Sequence, residues 1–120
     1  MLQKRLTTTT YEEAKEIYET ISSHVDRTDE DIVGLYNDMI ARAVRYANIR
    51  AGWNALSREQ KMEQDLSRSM AHDAFITSVH IVARIQGSSG AKWCDRLSDD
   101  RKRIGDFACY IALFEGMQAR

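Results

Sequence analysis

The segment from Ser57 to Gly87 constrains the fold of this chain more than any other, because it carries the start and stop signals of one long helix. Ser57 followed by Gln60 is a capping box, in which the hydroxyl accepts a free amide and the glutamine side chain reaches back. Gly87 supplies the positive φ that ends a helix, and the run 87–90, Gly-Ser-Ser-Gly, is predicted to be a loop. The sequence therefore predicts a helix of about eight turns.

Two apolar strips run along this predicted helix. The first comprises Met62, Leu66, Met70, Ala74, Ile81 and Ile85, and the second comprises Ala71, Phe75, Val79 and Val82. After Met70 the two strips together cover more than half of the circumference, and a helix of this kind needs neighbours on more than one side. We therefore predict that it lies in the middle of a bundle and leaves no deep cleft.

Similar signals predict the other helices. Thr10 and Glu13 form a second capping box that opens an outer helix, and a second helix runs from about Asp29 to near Trp53. Residues 91–97 form a short helix that plugs one end of the bundle, and Ser98 caps a last helix that ends near residue 117. We predict an all-α fold in which residues 1–120 form one domain of four main helices plus a short helix before the last. Residues 1–9 are predicted to be a flexible arm.

Composition excludes several classes of protein. The net charge of −1 argues against a generally basic nucleic-acid binder. No stretch approaches the roughly 20 apolar residues of a membrane span, and the N-terminus lacks the apolar core of a signal peptide, so we predict a cytoplasmic protein. Residues 11–31 hold eight acidic residues and two basic ones, whereas residues 42–103 hold twelve basic and seven acidic ones. The molecule is therefore predicted to be electrically two-ended.

One side of the central helix carries the candidate catalytic residues. Asp65, Arg68 and His72 are spaced by three and four residues, so they share a side next to the second apolar strip. Held together, a carboxylate, a guanidinium and an imidazole would form a candidate site, and the alternative is a structural polar network. His72 and Asp73 also form the dipeptide of the HD-type metal-dependent phosphohydrolases, although adjacent helical residues point about 100° apart. We predict no metal site and no cofactor.

The only basic run is formed by Arg101, Lys102 and Arg103. It is a candidate site for phosphate or for a nucleic-acid backbone, together with Arg42, Arg45 and Arg50. Three aspartates, at positions 99, 100 and 106, flank the run, so salt bridges within the chain are the preferred interpretation.

The segments AHDAFITSVHIVARIQG and DRKRIGDFACYIALFEG resemble small all-helical proteins of Gram-positive bacteria and their mobile elements. The resemblance covers roughly the last sixty residues. It implies a helical fold that is specified mainly by the second half of the chain, and it implies no activity and no functional residue.

The sequence favours a non-enzymatic protein that binds a partner, such as an inhibitor, an immunity factor or an adaptor. The predicted binding surface is an acidic face on the first helix and the turn after it, and it comprises Glu12, Glu16, Glu19, Asp29 and Glu30. Such a face suits a protein partner with a basic surface, and a homodimer through the first two helices is a related hypothesis. The alternatives are a metal-dependent phosphohydrolase or nucleotide-binding enzyme that uses His72 and Asp73, and nucleic-acid binding through the basic run.

Overall fold

The computed structural model describes residues 8–97 and 100–118. They form five helices and no strand: α1 (Tyr11–Ser23), α2 (Glu30–Trp53), α3 (Arg58–Ile85), α4 (Gly87–Leu97) and α5 (Arg101–Gln118). The prediction of an all-α fold with a short helix before the last is confirmed. None of these helices has the length and apolarity that a bilayer crossing requires.

Side-chain caps fix the starts of the helices, as the sequence indicates. The hydroxyl of Thr10 accepts the amide of Glu13, and both hydrogen bonds of the capping box between Ser57 and Gln60 are present. At α5 the carboxylate of Asp100 accepts the amides of Lys102 and Arg103, at 2.9 and 3.2 Å. The predicted cap, Ser98, lies outside the described residues.

The chain before α1 is fixed to α5 at Thr9. The side chain of Thr9 donates to the carbonyl of Arg103 at 2.9 Å, and its amide donates to Asp106 at 3.2 Å. Thr9 is also buried. The prediction of a flexible arm over residues 1–9 is therefore wrong at Thr9, while residues 1–7 lie outside the described part of the chain.

The junction between α3 and α4 is tighter than the predicted loop. Gly87 has a φ of +63°, as the end of α3 requires. The following residues, however, form the first turn of α4, so the prediction of a loop over residues 87–90 is wrong. A Cβ added at Gly90 would lie only 1.8 Å from the carbonyl oxygen of Ala83, so glycine at this position lets the backbone of α4 rest on that of α3.

The central position predicted for α3 is wrong. One face of α3, which includes Phe75, Val79 and Val82, is buried against α2, α4 and α5. The other strip is solvent-exposed, with Met62 and Leu66 at 73% and 70% exposure. The helix that could have covered this strip, α1, instead packs on α5 and α4.

The core lies between α2 and α5 and is closed by α1, α3 and α4. Its largest fully buried side chains come from all five helices and include Ile17, Met39, Phe75, Leu97 and Phe107. Trp93 and Leu97 of α4 are buried, as predicted for a plug. Gly105 of α5 brings that helix close to α2, since an added Cβ would lie 3.0 Å from Arg50 and 3.3 Å from Tyr46.

Candidate functional site

A cleft lined by positive charge lies where the end of α2, the middle of α3 and the start of α5 meet. Its volume is about 510 Å³. Four of its lining residues are cations, and none of its described lining residues carries a carboxylate. We call it the basic cleft, and its lining residues are Tyr46, Arg50, Trp53, Asn54, Arg68, Ser69, His72, Arg101 and Lys102. The sequence does not predict this opening between α2, α3 and α5.

Two arginines that line the basic cleft form ion pairs with carboxylates that do not line it. Arg50 of α2 lies 2.8 Å from Asp106 of α5, and Arg101 of α5 lies 2.9 Å from Asp73 of α3. Although burial works against the charged form, the hydrogen bond that Arg50 donates to Asp106 helps to raise the pKa of Arg50. These pairs hold the guanidinium groups in place, and each pair also joins two helices.

Arg68 is held at the opposite wall by a different set of contacts. Its Nη2 lies 3.1 Å from Asp65, and its guanidinium lies 4.7 Å from the centre of the Trp53 ring, at the distance of a cation–π contact. The Nε of Arg68 is buried and has no hydrogen-bond partner among the described residues.

His72 lies at the bottom of the basic cleft as a buried, neutral side chain. Its Nε2 lies 3.0 Å from the carbonyl oxygen of Arg101, and its ring is 4.7 Å from that of Tyr46. Burial lowers the pKa of His72, and the hydrogen bond to the Arg101 carbonyl offsets only part of this effect. The ring is therefore neutral at pH 7, and its Nε2–H donates to the carbonyl.

The candidate catalytic residues do not form one cluster. Asp65 pairs with Arg68 on the surface, whereas His72 binds a backbone carbonyl, so no carboxylate of a described residue hydrogen-bonds to the imidazole. Asp73 points outward and pairs with Arg101. Among the described residues, no three His, Cys, Asp or Glu side chains are grouped closely enough to hold a metal ion.

The basic run of residues 101–103 is divided by the start of α5. Arg101 and Lys102 line the basic cleft, but Arg103 is buried and forms an ion pair with Glu13 of α1. Arg103 is thus unavailable to phosphate or nucleic acid. Salt bridges within the chain are confirmed for Arg101, which pairs with Asp73, and for Arg103, which pairs with Glu13; Asp99 lies outside the described residues.

The predicted acidic face is only partly free. Glu12, Glu19 and Glu30 are exposed, whereas Glu16 lies 3.1 Å from Arg96 of α4. Asp29 is the N-cap of α2, and its carboxylate accepts two amides of the first turn. The pairing of Glu16 joins residues eighty positions apart, so helical spacing alone could not reveal it.

A second exposed surface is the apolar strip on α3. It comprises Met62, Leu66, Met70, Ile81 and Ile85, and we call it the α3 strip. Its first three side chains are 62–73% exposed, and its last two are 36% and 40% exposed. The exposed acids Glu59 and Glu63 lie beside it on the same helix.

No protein-family model, curated protein or solved structure matches this chain. The resemblance to small helical proteins of Gram-positive bacteria stays a prediction.

Proposed function

We propose that this protein works by binding another protein, as an inhibitor, an immunity factor or an adaptor does, and that it is not an enzyme. The observation that carries the proposal is the exposure of the α3 strip. Large apolar side chains that stay exposed next to one another, as Met62, Leu66 and Met70 do, are typical of interaction sites.

The spacing of the α3 strip suits a partner that is itself helical. Met62, Leu66 and Met70 follow one another at intervals of four residues, which forms the kind of ridge that packs into the groove of a second helix. Full burial of each such side chain contributes about 1.5–3 kcal/mol, so three of them are enough to dominate an interface.

The charges around the α3 strip define the chemistry of the partner. Glu59 and Glu63 lie on the same side of α3 as Met62 and Leu66, while Arg58 and Lys61 lie on the other side of Met62. A partner that presents an amphipathic helix with Lys or Arg beside its apolar residues would satisfy the α3 strip and its acidic border together. We also propose that the protein is cytoplasmic.

Site-specific photo-crosslinking in cells of the source organism tests this function. A photoreactive amino acid at position 66 is expected to give one discrete adduct with another protein. The same amino acid at Gln64, which is exposed on α3 but lies off the α3 strip, is the matched control and should give none. Reversing Glu59 and Glu63 to lysine should weaken the adduct.

Two results would contradict the proposal. One is the absence of any adduct at position 66, and the other is an adduct with a second copy of this chain alone. The contribution of α1 is tested separately with the Glu12→Lys/Glu19→Lys variant, since neither side chain makes an ion pair with a described residue. If the acidic face contributes, this variant should form less adduct while its circular dichroism stays unchanged.

A further inference from the structure

The basic cleft has the features of an anion-binding site. It is a separate surface from the α3 strip. Four cations from three helices line one concave wall, and the described carboxylates that pair with three of them lie outside that wall. A volume of about 510 Å³ is within the range of small-molecule sites.

The cations retain donors that no described residue uses. A guanidinium carries five N–H donors, and the pairs of Arg50 and Arg101 with their aspartates each occupy only part of that set. Lys102 forms no ion pair with any described residue. An anion in the cleft would supply acceptors for the unused donors of Arg50, Arg101 and Lys102.

The aromatic residues of the cleft indicate what the ligand lacks. The face of Trp53 is covered by the guanidinium of Arg68, and the ring of Tyr46 packs on His72. Each ring therefore has a neighbour from this chain on one face, which disfavours stacking on a nucleobase, the usual way in which proteins bind single-stranded nucleic acid. Recognition depends on charge and on hydrogen-bond donors.

We propose that the basic cleft binds a small ligand that carries two or more linked phosphate groups. The linked phosphates lie between Arg101 and Lys102 on one side and Arg50 and Arg68 on the other. Arginine forks bind phosphate oxygens in pairs, and the lysine adds a point charge. The amides of Lys102 and Arg103 are already bound by Asp100, so side chains rather than the start of α5 hold the ligand.

Isothermal titration with sodium pyrophosphate, at constant ionic strength, tests this proposal. We expect saturable binding, and we expect ADP and ATP to bind within a few-fold of pyrophosphate because the base is not contacted. Lys102→Gln should weaken binding about tenfold, the factor that corresponds to one charge-assisted contact. Lys92→Gln, at an exposed lysine of α4 outside the cleft, is the matched control and should bind like the wild type.

Thermal melting gives a second readout. Pyrophosphate at 100 times its Kd should raise the Tm by on the order of 10 °C. The proposal is overturned if 10 mM pyrophosphate neither binds nor raises the Tm. It is also overturned if Lys92→Gln weakens binding as much as Lys102→Gln does, or if a single-stranded oligonucleotide binds more tightly than pyrophosphate. None of these results bears on crosslinking at position 66.

Discussion

Substitution of Gly90 by alanine tests the packing of α4 on α3. The added Cβ would lie 1.8 Å from the carbonyl oxygen of Ala83, whereas ordinary contacts begin at 3.4 Å. The carbonyl belongs to the backbone of α3 and the Cβ is attached directly to the backbone of α4, so the two helices must separate by more than 1 Å. Overpacking costs about 1–3 kcal/mol, and partial loss of the packing of Trp93 and Leu97 adds to it. Alanine favours a helix more than glycine does, and this difference offsets about 1 kcal/mol of the cost.

We therefore expect Gly90→Ala to lower the free energy of unfolding by about 3 kcal/mol, which corresponds to a Tm lower by on the order of 10 °C. Urea denaturation followed by circular dichroism measures this value. The control is Gly34→Ala in α2, where an added Cβ meets no atom within 4 Å, and which should gain about 0.5–1 kcal/mol. A Gly90→Ala protein as stable as the wild type would refute the close contact between α3 and α4.

Three other predictions concern individual side chains. Glu13→Ala removes one ion-pair partner of buried Arg103 and should cost about 1–3 kcal/mol in urea denaturation, whereas exposed Glu12→Ala should change stability by less than about 0.5 kcal/mol; equal effects would contradict the buried pair. The folded-state pKa of His72 is below its ordinary value of 6.5, so the folded state favours the neutral imidazole. The stability that the neutral imidazole contributes is therefore complete above about pH 6.5 and is lost as the pH falls through the folded pKa. The unfolding free energy of His72→Gln should therefore fall less than that of the wild type between pH 7.5 and 5, and parallel profiles would contradict this. Asp73 and Arg101 are both more than 60% exposed, so Asp73→Asn should shift the Tm by at most about 4 °C, and a larger loss would contradict an exposed pair.

Local signals in the sequence predict the helices well, because capping depends on residues a few positions apart. The caps at Thr10 and Ser57 and the positive φ of Gly87 are all present where the sequence indicates them. The prediction of a loop at residues 87–90 is wrong because the preference of glycine and serine against a helix is weak enough to be overcome by packing. At Gly90 the close approach of α3, which is a tertiary contact, outweighs that preference.

The position of α3 could not be predicted from its periodicity. Two apolar strips indicate two surfaces that avoid water, but they do not say whether the chain itself covers both. In the fold α1 packs on α5 and α4, and Arg103 buried against Glu13 joins α1 to α5. The α3 strip is left exposed as a result.

The basic cleft is likewise a product of tertiary structure. Arg68 and His72 were identified on one side of α3, and Arg101 and Lys102 in the basic run. These four residues line one cleft because α5 and the end of α2 pack beside α3. The same packing places Trp53 and Tyr46 in the lining of the cleft. The spacing of Trp53 three residues after Arg50 is the one local signal that could have placed both on the same side of α2.

The most direct test of the proposed function asks whether the α3 strip is free in the isolated protein. Leu66→Gln and Phe75→Ala lie on opposite faces of α3, and the free energy of unfolding of each is measured by urea denaturation. We predict a change below about 0.5 kcal/mol for Leu66→Gln and a loss of about 3–5 kcal/mol for Phe75→Ala. A loss of several kcal/mol at Leu66 would show that the strip is already covered within the fold and would contradict a partner site there.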